Sequence, residues 1–237
     1  MTLRGRIAAL SALAAAFGMA QATSAVAAPQ ILTYQVEHPT YGNIGIYSNT
    51  IDQKGDSIDV RTQLHVAVKV LGISMFKQDA DRLEHWEKGR LTAFQGGTDD
   101  NGKQIAIDGK AQGDSFVILS PLGNFTAPAK VHPSNPWGAQ SLNTDVMMST
   151  KTGRVMNVVV TDTGEANVTL DGQTVKLHQY FIEGEKHQVV WLNDAGVVVA
   201  FQTEEDGQRI TFVLQKDAPA AAAIAMPVAL YQPANPQ

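Results

Sequence analysis

The stretch SIDVRTQLHVAVKVL, residues 57–71, decides the fold that the sequence predicts. Its apolar side chains fall on even positions, broken only by Thr62, while polar and charged side chains take most of the odd positions. Alternation with a period of two is typical of a β-strand that is dry on one face. The apolar set is Ile58, Val60, Leu64, Val66, Val68 and Val70.

The length of this stretch predicts the shape of the sheet. A strand of 15 residues extends about 50 Å, whereas a compact domain of this size is roughly 40 Å across. A straight strand would project from its own domain, so we expect the sheet to bend and curl. The sequence therefore predicts an all-β fold, a strongly curved antiparallel sheet in the form of a half-barrel or open barrel, with one short helix and loop near residues 130–150.

The C-terminal part carries evenly spaced turn signals between runs rich in Val, Phe, Tyr and Thr. This spacing favours an antiparallel meander. The turn signals are centred on Gly164, Gly172, Gly184, Gly196 and Gly207. Alternation predicts one dry face made by Val175, Leu177 and Phe181, and another made by Ile210, Phe212 and Leu214.

The stretch LEHWEKGRLTAFQGGTDDNGKQ, residues 83–104, is the densest polar segment of the chain. It predicts a hairpin in which strands 74–87 and 90–95 are joined at Lys88-Gly89, followed by a turn over 98–102, because Asn-Gly tolerates positive φ at both positions. The run Asp-Asp-Asn-Gly lacks the alternating ligands and distant glutamate of a calcium loop.

Strand geometry separates the acids of this hairpin. His85 and Glu87 share one face, and this pair is the candidate for a catalytic or ligand-binding role that mutation should test. Glu84 points the other way with Trp86, whose indole is predicted in or at the edge of the core. The two glutamates therefore cannot bind one ion together.

Few other motifs indicate chemistry. The absence of cysteine excludes disulfides, thiol catalysis and thiolate metal sites. The chain has no His-x-His, His-Glu-x-x-His, Gly-x-Ser-x-Gly or phosphate-binding glycine motif. His178 and His187 flank one predicted hairpin, but a lone pair at a turn is a weak metal site. We predict no cofactor, no metal and no assigned catalytic residue.

The two ends of the chain differ from its body. Residues 1–27 combine Arg4 and Arg6 with an apolar run and an Ala-Val-Ala triplet, which predicts an export signal cut after Ala27; a cut after 20–22 is the alternative. Without the signal the charge is 16 − 23 = −7, which disfavours nucleic acid. We expect one β domain over 28–216, a mobile Ala/Pro-rich tail over 217–237, no spanning helix, and a periplasmic or extracellular location.

The segment 129–149 breaks the strand pattern. Leu142, Val146 and Met147 fall at helical spacing, so we expect a loop with a short helix against the concave side of the sheet. Its motif HPSNPWG, residues 132–138, contains two X-Pro bonds, either of which could be cis. Trp137 either pins this loop to the core or latches it as a lid over a cavity.

Several phrases resemble a known group of proteins. They are Tyr34-Gln35-Val36, Gly42-Asn43-Ile44-Gly45, residues 84–91 (EHWEKGRL), residues 98–102 (TDDNG) and residues 151–155 (KTGRV). The chain resembles an uncharacterised family of exported proteobacterial proteins, a domain of unknown function, which is distantly similar in architecture to lipoprotein-carrier (LolA/LolB-like) half-barrels. The resemblance implies a Gram-negative periplasm and a sheet around an apolar hollow, and it supplies no catalytic residues.

Three functions remain open from the sequence. The first is a non-enzymatic protein that binds a lipid, an acyl chain or a lipoprotein in the hollow. The second is an enzyme acting on envelope polymers, and the third is a structural or interaction module with a filled core. The predicted ligand-binding residues are Val66, Val68, Val70, Phe76, Trp137, Val175 and Phe181.

Overall fold

The computed structural model describes residues 28–170, 172–185, 187–205 and 207–215. The predicted export signal and the predicted tail lie outside the described residues. Strands β1 to β16 cover Gln30–His38, Gly42–Lys54, Ser57–Val70, Ile73–Glu87, Arg90–Asp100, Lys103–Gln112, Ser115–Ser120, Gly123–Pro128, His132–Pro133, Val146–Met148, Val155–Asn157, Val159–Leu170, Gln173–Glu183, Gln188–Leu192, Val198–Glu205 and Gln208–Leu214. One 3₁₀ helix lies at Ala139–Leu142.

Thirteen strands form one antiparallel sheet in the order β12-β13-β14-β15-β16-β1-β2-β3-β4-β5-β6-β7-β8. The two halves of the chain join where β1 pairs with β16. The sheet is open, with β8 and β12 at its edges, and residues 129–158 connect those edges. We call residues 129–158 the crossover segment; it contains the 3₁₀ helix and a small sheet of β9, β10 and β11.

The sheet bends as its long strands predicted. Strand β3 covers Ser57–Val70 and pairs with β4 along its whole length. Register shifts interrupt the ladders at five places, and such bulges bend a strand and increase its twist. They lie at Val36/Glu37, Val68/Lys69, His85/Trp86, Asp162/Gly164 and Trp191/Leu192. The predicted all-β, curved antiparallel architecture is confirmed.

The turns follow the local rules with two exceptions. Lys88-Gly89 joins β4 to β5 as predicted, with φ of 50° and 75°. The next turn is narrower than predicted, because residues 98–100 stay in β5 and only Asn101-Gly102 leave the ladder. The assignment of Gly164 to a turn is wrong. It lies inside β12 at a bulge, where its amide donates to Asp162 Oδ1 at 2.8 Å.

The crossover segment fills the space inside the curled sheet. Its strand β10 packs Met147 into one buried apolar cluster and Val146 with Met148 into a second one. The first cluster joins β1, β2, the end of β3 and the C-terminal strands, and the second joins the start of β3 to strands β4 to β8. A strand buried on both faces lies in the middle of a core.

The helical spacing predicted in this segment is wrong beyond its first residue. Leu142 ends the 3₁₀ helix, whereas Val146 and Met147 belong to β10. A short apolar run has no period that distinguishes a buried strand from a helix. Pairing with β9 and β11 decides the matter.

The dry face predicted for β13 is turned outward. Tyr180 and Ile182 pack into the first cluster, so Val175 and Leu177 lie on the opposite face of the strand. There Leu177 forms a third small cluster with Trp191 and Ala200, and Val175 packs against it. Both faces of this part of the sheet are apolar, so alternation alone cannot say which one faces the interior.

Candidate functional site

A buried carboxylate lies where the crossover segment meets strand β4. Glu84 is fully buried. Its Oε2 accepts hydrogen bonds from Trp86 Nε1 at 2.9 Å and from Trp137 Nε1 at 3.2 Å, and its Oε1 accepts one from Asn135 Nδ2 at 3.0 Å. Two of these three donors come from the crossover segment. Glu84 therefore holds that segment against the sheet.

The same network extends to strands β2 and β3. Tyr47 donates its hydroxyl hydrogen to Asn135 Oδ1. Asn135 Nδ2 also donates to Thr62 Oγ1 at 2.7 Å, and Thr62 donates to Asn49 Oδ1 at 2.7 Å. Thr62 is the residue that broke the apolar alternation of β3, and its hydroxyl is needed here. We call these residues the Glu84 cluster: Tyr47, Asn49, Thr62, Glu84, Trp86, Asn135 and Trp137.

Burial controls the electrostatics of the cluster. Loss of water raises the pKa of Glu84 to about 7, although three hydrogen-bond donors and the Arg82 guanidinium act against the shift. Burial lowers the pKa of Arg82 and raises that of the Tyr47 hydroxyl. Within the described residues, Asn49 Nδ2 and Arg82 Nε are buried without a hydrogen-bond partner. Such a donor costs about 1–3 kcal/mol.

This arrangement fits a structural role, in which Glu84 holds the crossover segment by hydrogen bonds, better than a catalytic role. A carboxyl group with a pKa near neutrality is a usual general acid or base. Both oxygens of Glu84, however, are occupied by donors of the protein itself, and its side chain is not exposed. The crossover segment would have to leave before a substrate could reach this carboxylate.

The sequence around Glu84 indicates a buried acid. Strand periodicity predicts Glu84 and Trp86 on one face, with the indole in or at the edge of the core, and Trp86 is buried. A carboxylate two residues from a core tryptophan lies on the same dry face and needs buried donors. Asn135 had no comparable signal, because a loop has no period.

The test pair lies on the outer face of the sheet. His85 and Glu87 share that face as predicted, with 3.4 Å between His85 Nε2 and Glu87 Oε1. The closer partner of His85 is Asp59 on the neighbouring strand, at 2.5 Å from Nδ1, and this hydrogen bond raises the pKa of the imidazole. All three side chains are substantially exposed. They form an ion-pair group on the exposed outer face of the sheet.

The remaining histidines are dispersed. His65 pairs with Asp79 at 2.5 Å, and His178 pairs with Asp162 at 2.6 Å rather than with His187. Within the described residues, no three His, Asp or Glu side chains are grouped as metal ligands.

The structure does not bring the seven predicted ligand-binding residues together. Val66 and Val68 are buried in the first cluster, and Phe76 packs against it. Trp137 is buried in the second cluster and pins the HPSNPWG loop, whose X-Pro bonds are both trans. Val175 packs against the outer third cluster, while Val70 and Phe181 are exposed.

Two spaces adjoin the crossover segment. A narrow gap bordered by Pro133, Asn135 and Met147 has no room for a water molecule. A cleft of about 600 Å³ lies open to solvent between Lys130, Asp145 and Tyr180, and the first two of these residues form an ion pair at 2.6 Å. Neither space is an enclosed apolar hollow.

The β3–β4 hairpin presents a different kind of surface. Residues 69–75, which we call the hairpin tip, are all exposed, and four of them carry large apolar side chains. These are Val70, Leu71, Ile73 and Met75. Exposed apolar groups gathered in one place are typical of a binding surface.

Together these features define a class of protein: an open, barrel-like antiparallel sheet wrapped around its own crossover segment. The chain belongs to the family described as domain of unknown function DUF6134, whose model matches residues 40–215. A solved structure with a similar fold is a beta-barrel-like protein of domain of unknown function DUF1849 from Brucella abortus. The match covers 80% of this chain and 96% of that chain, with 8% identity and a TM-score of 0.58.

No curated protein matches the chain in sequence. Among the described residues, no helix has the length and apolar character needed to cross a membrane.

Proposed function

We propose that this chain is a non-enzymatic binding module, exported to the periplasm, that binds a lipid or lipoprotein through its outer surface. The observation that carries the proposal is β10, whose two faces are buried in two different apolar clusters. The interior of the sheet is filled by the chain itself. Binding therefore falls to the surface, where apolar side chains gather at the hairpin tip.

Filling of the interior argues against a ligand in the hollow. An acyl chain there would have to displace Met147 and Leu142 from the first cluster. It would also break the hydrogen bonds that Asn135 and Trp137 make to Glu84. A carboxylate left without its donors in an apolar site is costly.

Dispersal of the polar groups supports the non-enzymatic part of the proposal. His65, His85 and His178 each pair with an aspartate on an adjacent strand. These pairs are spread over the sheet and do not converge on one cleft. The cleft beside Lys130 contains two acids, and each is already paired: Asp145 with Lys130 and Asp162 with His178.

The remaining parts of the proposal rest on the sequence. They are export by residues 1–27, a single domain over 28–216, a proteobacterial source, and a distant likeness to lipoprotein-carrier half-barrels. The fold similarity to the Brucella abortus protein supports the barrel-like architecture.

The test separates surface binding from interior binding. Of the three tryptophans, Trp86 and Trp137 lie in the Glu84 cluster and Trp191 lies in the outer third cluster. In the mature chain carrying Trp191→Phe, tryptophan fluorescence therefore comes only from Trp86 and Trp137 and reports on the interior. We expect it to bind phospholipid vesicles or a diacylated lipopeptide with no change in tryptophan emission.

Two results would contradict the proposal. Saturable one-to-one uptake of a fluorescent fatty acid, with energy transfer from the two remaining indoles, would show a carrier with an interior ligand. Failure to bind either vesicles or the lipopeptide would remove the lipid partner.

A further inference from the structure

The hairpin tip projects beyond the rest of the sheet. Strand β2 pairs with β3 only as far as Gly45 opposite Val66, and β5 pairs with β4 only from Asp100 opposite Gln78. Asn101 still bonds to the backbone of Lys77, and beyond that residue β3 and β4 pair only with each other, up to Val70 opposite Ile73. Val68 is buried in the first cluster and Phe76 packs against it, so the base of the projection is anchored.

Leu71 is poorly suited to its position on two counts. Its side chain is 97% exposed, and its φ is 51°, a left-handed conformation that bulky residues rarely adopt. The turn at Asn101-Gly102 has the same pair of positive φ values and carries the residue that the geometry prefers. Neither folding nor hydration accounts for a leucine at position 71, which points to a contact outside the chain.

The chemistry of the tip indicates what it contacts. Its large side chains are aliphatic or thioether groups, at 39% exposure for Val70, 66% for Ile73 and 63% for Met75. It contains no aromatic residue and no arginine, the side chains that usually anchor a protein–protein interface. A convex aliphatic projection fits a fluid apolar phase better than a shaped pocket.

We propose that the hairpin tip inserts into the interfacial layer of a lipid bilayer. This inference rests on the proposed function and names a lipid surface as the partner. Lys69 begins the tip and Lys77 follows it on the other strand. From Lys69 to Leu71 the strand rises about 7 Å, which matches the roughly 5–10 Å to which interfacial segments penetrate.

The flanking residues fit this depth. The stem of Lys69 lies along the apolar surface of the tip while its ammonium group reaches the headgroups. Lys77 Nζ is paired with Asp79 at 2.7 Å and marks the base of the tip. Tyr41 is exposed in the β1–β2 turn, which the antiparallel order places on the same rim as the tip. Tyrosine is favoured at membrane–water interfaces. The outer edges of the hairpin carry backbone groups that need water, so insertion is shallow.

The experiment uses the mature full-length chain and vesicles of an equal mixture of phosphatidylcholine and phosphatidylglycerol. Leu71→Asn removes the most exposed apolar side chain and installs the residue preferred by the turn, so it should leave folding intact. We expect vesicle partition, measured by co-sedimentation, to fall about tenfold for Leu71→Asn and further for Leu71→Asn combined with Ile73→Thr.

The matched control is Ile31→Asn. Ile31 is 46% exposed on β1, towards the opposite rim. This variant should partition like the unmodified chain. Thermal unfolding of each variant shows whether the fold is retained, and binding should persist at high salt because insertion is apolar.

Each contrary result has its own meaning. If the chain binds vesicles and Leu71→Asn binds equally well, the inference is wrong while surface binding stands. If Leu71→Asn weakens binding of a diacylated lipopeptide but the chain does not bind vesicles, the hairpin tip is a lipopeptide-binding site. The proposed insertion into a bilayer is then wrong. If neither lipid is bound, the proposed function fails as well.

Discussion

The indole Nε1 of Trp137 donates a hydrogen bond of 3.2 Å to Oε2 of Glu84, a residue 53 positions earlier in the chain. Trp137 belongs to the crossover segment and Glu84 lies near the C-terminal end of β4, so the bond joins the segment inside the curled sheet to the sheet itself. Trp86 donates to the same oxygen, and its ring lies 5.9 Å from that of Trp137 in an edge-on arrangement. The core therefore depends both on the packing of apolar side chains and on buried hydrogen bonds to Glu84.

Variants at Trp137 should separate these two contributions. Trp137→Phe keeps an aromatic ring but removes the bond to Glu84, so we expect a loss of about 1–2 kcal/mol in the free energy of unfolding. Trp137→Ala also leaves a cavity, and we expect about 3–5 kcal/mol. Denaturant unfolding monitored by circular dichroism measures both. Equal losses would show that packing at this position contributes little.

The raised pKa of Glu84 predicts a dependence of stability on pH. A carboxyl group whose pKa rises from 4.5 to about 7 on folding binds more protons in the folded state between those values. Stability should therefore fall as pH rises from about 4.5 to about 7, by about 3 kcal/mol at most, and level off above.

Glu84→Gln is the matched variant for this prediction. It cannot ionise, so the fall attributable to Glu84 should be absent. The difference in unfolding free energy between the two proteins should shift in favour of the variant as pH rises across that window. A difference that stays constant with pH would mean that Glu84 has an ordinary pKa in the folded protein.

His85 should behave as a surface residue. Its partner Asp59 raises its folded pKa above the ordinary 6.5. The contribution of the ion pair is therefore fully present below about pH 6.5 and is lost as pH rises through the folded pKa. We expect His85→Gln to cost less than about 1 kcal/mol at low pH and almost nothing at high pH. A loss of lipid binding in this variant would instead give the pair a functional role.

The two turns with similar geometry should respond in opposite directions. Asn101 fits its positive φ, and its Oδ1 accepts the amide hydrogen of Lys77 at 2.8 Å. We expect Asn101→Leu to lower the free energy of unfolding by about 1–2 kcal/mol. Leu71→Asn should leave it unchanged or raise it by up to about 1 kcal/mol. Thermal unfolding of the two variants side by side checks this, and destabilisation by Leu71→Asn would show that Leu71 packs within the chain.

Local patterns predicted much of the sheet. The alternation in residues 57–71 identified β3, and Lys88-Gly89 identified the turn between β4 and β5. Gly164 shows the limit of this reasoning, since a bulge and a turn both use a glycine with positive φ. The outward orientation of Val175 shows another, because a sheet that is apolar on both faces has two equally dry sides.

By itself, the sequence determined strands, most hairpins and the curvature of the sheet, because these depend on residues a few positions apart and on strand length. Only the tertiary structure decided that the interior is filled and that Glu84 is buried. Those outcomes depend on contacts between distant residues, such as Tyr47 and Asn135, which are 88 positions apart. No local period encodes such a contact, since the same alternating face can line an open hollow or pack against the crossover segment.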